Sequence, residues 1–268
     1  MDRHLKEYYQ SSFDGGPRGN FHKVIALHEG PDVGWEQIAA ILPVLPKGWF
    51  EVAQLTPKDR IDFISGFWFK QLPFRPNLGE ALSHFFEELD DIGIFVTQQK
   101  FDDPFEVHMA YSCANDGGFF RGHPPATEEE LSSLKNWFAE FIMPRDYLSF
   151  LQIHNGFHKH MDTGVLRIAE IVPAYETLQR LLSEGEILLT EDGEAINPKS
   201  LIPFYESFGM HCYQCFWGEW YPENEMGNVY YSGLTRSISS FKKRQNWADN
   251  MAFPTFLDWL MFYIERIE

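Results

Sequence analysis

The chain has 268 residues, 44% of them hydrophobic and 16% aromatic, which is enough apolar material for one large globular domain or two ordinary ones. Its 22 basic and 39 acidic side chains leave a net charge of −17, spread over both halves, so the chain repels nucleic-acid phosphates and favours a basic protein as partner. No stretch reaches the roughly 20 apolar residues of a membrane helix, the first ten residues lack a signal-peptide core, and Cys113, Cys212 and Cys215 are too few for a disulfide framework, so the cytoplasm is the expected compartment.

Residues 1–20 end in GGPRGN and hold no sustained periodicity, which predicts a flexible arm. A helix is expected from Trp35 to Leu42, interrupted by Pro43 and Pro46. Thr56-Pro57-Lys58-Asp59 caps a second one, with Ile61, Ile64, Phe67 and Trp68 at helical spacing, and a third runs from Leu78 to Leu89. The period then changes to two: Ile94 to Thr97 and Phe105 to Tyr111 read as a hairpin turning at Asp102-Asp103-Pro104. Three helices before a hairpin also describe a winged helix. The segment in the recognition position, Gly79 to Asp91, carries Glu80, Glu87, Glu88, Asp90 and Asp91 against a lone His84, which argues against DNA. His123-Pro124-Pro125-Ala126 is the strongest boundary, because consecutive prolines oppose both helix and central strand. Residues 21–125 are therefore expected to form a smaller helical plus hairpin α+β unit, and residues 126–268 a second domain.

That second domain opens on a capping box, Thr127 and Glu130, and a helix to Ile142 with Leu131, Leu134, Phe138, Phe141 and Ile142 on one face. The run Met143 to Phe157, MPRDYLSFLQIHNGF, predicts a helix started near Pro144 and stopped at Asn155-Gly156, burying Tyr147, Phe150 and Leu151. A strand around Val165, a helix from Pro173 to Ser183, strands at Leu201 to Tyr205, His211 to Trp217, Val229 to Ser232 and Ser237 to Phe241, and a closing helix from Pro254 to Ile267 follow. The proline-led DYxxFLxxxNG helix, the Ile202-Pro203-Phe204 strand entry and the FxxFLxWL terminal helix resemble the SUKH superfamily, the Smi/Knr-like domain, over residues 127–268. The resemblance implies an α+β domain with helices packed on a central sheet and a protein-binding role. Bacterial members of the family commonly serve as immunity proteins that neutralise toxins, often nucleases, and fungal ones act as regulatory scaffolds. Residues 21–125 match no family pattern.

Reactive motifs are sparse. Cys212 and Cys215, with His211 beside them, have zinc-ligand spacing, but on a straight strand residues three apart point to opposite faces. His154, His158 and His160 surround the Asn155-Gly156 turn and are read as solvent-facing. These two groups carry the alternative reading, a metal-binding protein or enzyme. No phosphate loop, GxSxG nucleophile or HExxH pair occurs, so no catalytic residue, cofactor or metal ligand is assigned. The segment between two expected strands, with Glu219, Trp220, Tyr221, Glu223 and Glu225, combines aromatic anchors with carboxylates. It is the expected partner-binding loop, its alternative being a lid over the domain's own core.

Overall fold

A computed structural model describes residues 1–9, 21–30, 34–183, 189, 193, 195–235, 237–239 and 251–265. The architecture is mixed α+β, with nine helices and eleven strands among the described residues. The chain divides into two units, one of residues 1–70, 82–124 and 158–160, the other of residues 71–81, 125–157 and 161–268.

In the first unit, β1 (Lys23–Ala26), β2 (Leu89–Gln98), β3 (Glu106–Cys113) and β4 (Phe119–Gly122) pair antiparallel in that order. The expected hairpin is its centre, with Val96 opposite Val107 and Ile94 opposite Met109. The flanking helices are α1 (Arg3–Tyr9), α2 (Trp35–Ile41), α3 (Lys47–Ala53), α4 (Pro57–Gln71) and α5 (Leu78–Glu87). Trp68 of α4 is fully buried and donates from its indole N–H to the Tyr111 hydroxyl at 3.1 Å, with Phe86 of α5 packed edge-on against it and Phe85 tilted beside it. Arg60, also on α4, is buried because Asp91 meets it: Nε and Nη2 both donate to Asp91 Oδ1, at 3.1 and 2.6 Å.

The start of the chain departs from the expected arm. Asp2 accepts the backbone N–H of His4 and Leu5 through Oδ1 and that of Gly118 through Oδ2, so it caps α1 and ties it to the sheet at once. Leu5 and Tyr9, one helical turn apart, are buried, and Tyr9 stacks on Phe95 with ring centroids 3.9 Å apart. Residues 10–20, the rest of that arm, lie outside the described residues.

The second unit contains α6 (Glu128–Trp137), α7 (Arg145–Leu151), α8 (Ile168–Ser183) and α9 (Phe256–Ile264), with β5 (Phe157–Lys159) starting in it. Its strands β6 (Gly164–Val165), β7 (Leu201–Glu206), β8 (Tyr213–Trp217), β9 (Asn228–Ser232) and β10 (Ser237–Ile238) pair antiparallel in order, and β11 (Ala252–Phe253) pairs with β9. The capping box of α6 is formed as expected, but the helix stops at Trp137 rather than Ile142, because Phe138 leaves the helical region and Ile142 ends 75% exposed. Helix α8 starts at Ile168, five residues before the expected Pro173, since Asn155 Oδ1 accepts the Ile168 N–H at 2.8 Å and Glu170 accepts that of Arg167. Asn155 also donates to Glu130 at 3.0 Å, and Gly156 takes φ +102°. Helix α7 ends at Leu151, with Gln152 as its C-cap, short of the expected stop at Asn155-Gly156, and Asn155 instead holds the starts of α6 and α8. Tyr147, Phe150 and Leu151 are fully buried, and Tyr147 packs against Phe204, Phe216 and Phe256, joining α7 to β7, β8 and α9.

Candidate functional site

The expected partner-binding loop is a closed hairpin end. Trp217 N–H donates to Gly227 O, Gly227 N–H to Trp220 O and Trp220 N–H to Trp217 O, each at 2.9 Å, so the backbone is tied at its base. Trp220 lies half-buried on Gly227, where a Cβ would collide with its ring, so it anchors the loop rather than standing out from it. Tyr221 is the exposed aromatic, at 43%, and its hydroxyl reaches the backbone of Ile142.

The carboxylates of this loop divide by role. Glu225 accepts the Arg145 N–H at the start of α7 at 3.2 Å, and Glu223 holds both Nη atoms of Arg75. Arg75 in turn grips Asp258 through Nε at 2.9 Å and Nη2 at 2.7 Å, so one guanidinium spans the loop and the first turn of α9. These bonds raise the Arg75 pKa, and the guanidinium holds Glu223 below the usual carboxylate range. Glu219 is exposed. The residue before Arg75 is Phe74, 92% exposed between Pro73 and Pro76. The sequence gives no signal for this neighbourhood, because Arg75 pairs with Glu223 across 148 residues of chain.

The other groups with chemical potential are scattered, then reassembled differently. His154 is buried and stacks on Phe157 at 5.4 Å. His160 lies over Gly118, where a Cβ would overlap its ring, and its backbone N–H bonds Phe119 O at 2.9 Å. His158 is buried against His123, with ring centroids 5.3 Å apart. The expectation of solvent-facing rings is therefore corrected at His154 and His158, since the turn they flank is packed rather than open. Cys212 and Cys215 are both buried, burial raises the Cys215 thiol pKa, and His211 points to Tyr213 and Glu206. Neither predicted trio forms a ligand cluster among the described residues. Glu106, His108 and His123 do, with their ligand atoms all within 4.8 Å of one another. The signal in the sequence was an E-x-H pair on a strand, where alternate residues share a face, and a histidine beyond the next turn.

No helix among the described residues is long and apolar enough to cross a membrane. No family model, curated protein or solved structure matches the chain.

Proposed function

We propose that this protein is a protein-binding module rather than an enzyme, and that it engages a basic protein through Phe74, Tyr221 and Ile142, with Glu219 supplying the outward charge. The observation that carries the reading is a pair of exposed aromatic residues on backbone already pinned by Arg75. Interface energy concentrates in aromatic anchors, and a surface ordered beforehand loses little entropy on binding. The net charge of −17 supports a basic occupant, because complementary fields raise the rate of encounter. The SUKH resemblance of residues 127–268 is consistent with it, and the implied role is that of an immunity protein against a basic, nuclease-like toxin. Supporting that resemblance, the proline-led helix, the Ile-Pro-Phe strand and the terminal helix meet at Tyr147.

A photo-reactive phenylalanine analogue at position 221, with position 234 as a distant control, tests this in extract of the source cells. The expected result is a covalent adduct with a protein of net positive charge, formed at position 221 only and diminished by Phe74→Ala. Equal adducts at both positions, or an acidic captured protein, would refute the reading.

A further inference from the structure

Beta strands β3 and β4 place Ala110 opposite Arg121 and Met109 opposite Gly122, and one further step of that register sets His108 against His123. Glu106 lies two residues from His108 on the same strand, so all three side chains leave one face of the sheet. His108 and His123 are buried, with ring centroids 4.8 Å apart, while Glu106 stands at the open edge. His108 Nδ1 lies 3.1 Å from the Tyr9 hydroxyl and its Nε2 lies 3.7 Å from Glu106 Oε2. In the tautomer with the proton on Nδ1, that nitrogen donates to the Tyr9 hydroxyl, the outer-sphere support that histidine ligands use, and Nε2 is the nitrogen that faces Glu106.

We propose that Glu106, His108 and His123 form a binding site for a divalent transition-metal ion of the zinc class. Two imidazoles and one carboxylate are borderline ligands suited to such ions, and calcium or magnesium would require more oxygen. Ligand atoms sharing an ion through bonds of about 2.1 Å lie roughly 3.4 Å apart, so a cluster whose ligand atoms lie within 4.8 Å of one another closes by at most about 1.4 Å at each pair. The Glu106 carboxylate at the edge supplies the entry route and the mobility for that closure. His158, packed on the His123 ring, walls the inner side. Tyr9 links the site to α1, so the ion would strengthen the docking of that helix. The site shares no residue with the proposed partner surface, and either proposal stands if the other fails.

The test is a titration of chelator-treated full-length protein with Zn2+, followed by calorimetry, and with Co2+, followed by visible absorption. The wild type is expected to take up a single equivalent, with cobalt bands typical of nitrogen and oxygen ligands. Tyr9→Phe, which removes only the orienting bond, is expected to weaken Zn2+ about 10-fold. His123→Ala and Glu106→Gln are expected to weaken it further, and His84→Ala on the exposed face of α5 to leave it unchanged. Glu106→Gln keeps the test decisive if His123→Ala fails to fold, because Glu106 is at the surface. Absence of binding by the wild type, affinity unaltered by Glu106→Gln, or a thiolate-to-cobalt charge-transfer band would each overturn the proposal.

Discussion

Asp146 does two jobs with one carboxylate. Oδ1 accepts the N–H of Tyr147 at 2.8 Å and Oδ2 that of Leu257 at 3.0 Å, so the residue joins the first turns of α7 and α9. Burial pushes its pKa up to about 6 against those two bonds, with Glu225 and Asp258 adding to the rise. The raised value means that the native state holds a proton which the unfolded chain has already released between about pH 4 and 6. Stability is therefore expected to fall as pH rises through that window, by about 3 kcal/mol for this group alone. Urea unfolding at pH 4 and pH 7 measures it: the fall should shrink in Asp146→Asn, and an identical fall in the variant would assign it elsewhere. Leu151, fully buried on the same helix, is expected to cost about 2 to 5 kcal/mol when truncated to alanine. A loss below about 0.5 kcal/mol would contradict the buried face of α7.

Elements in this protein are held by polar contacts that their own sequences do not announce. Helix α4 buries Arg60 against Asp91, and removing one partner of a buried pair leaves an uncompensated charge. Asp91→Ala is thus expected to destabilise the protein by about 3 to 5 kcal/mol in denaturant unfolding. The 217–227 loop depends on Arg75 in a different way, because its ends are already closed by backbone bonds. Arg75→Ala should leave the global unfolding midpoint near that of the wild type while amides from Tyr221 to Met226 exchange faster with solvent. Unchanged exchange in that segment would show that the backbone closure alone orders the loop. Local opening of this kind costs less than global unfolding, so exchange resolves what a melt averages.

At the scale of the whole chain, charge decides kinetics more than architecture. With 39 acidic against 22 basic side chains, association with a basic partner should slow as ionic strength rises from low to physiological, while dissociation changes little. Stopped-flow mixing with the cross-linked partner, once purified, measures both rates. Glu219→Lys should flatten the salt dependence of association, since this exposed carboxylate is the loop's outward charge. Glu223 and Glu225 are poorer probes than their place in the loop suggests, because each is also an internal hydrogen-bond acceptor.

Short-range information was legible in the residues themselves. The Thr127–Glu130 capping box and the apolar face of α7 rest on interactions within a few residues or on a fixed side-chain period, so they appear in structure as read, whereas α7 ends at Leu151, short of Asn155-Gly156, and β2 and β3 are buried on both faces instead of alternating. What failed to appear was long-range. Asp2 looked like one charge in an aperiodic start until Gly118 and Ser112 gave it partners, and nothing near Arg75 in the sequence announced its pairing with Glu223 and Asp258. The histidines near residue 157 were grouped by sequence distance, whereas His158 packs beside His123 and His108 lies next to Glu106. Sequence alone determined the mixed α+β class, the acidic surface and most of the helices, though not α1 or α3, because propensity, periodicity and charge are local or additive. Tertiary structure alone decided which side chains share a site, because strand register brings together residues whose separation along the chain carries no trace of their contact.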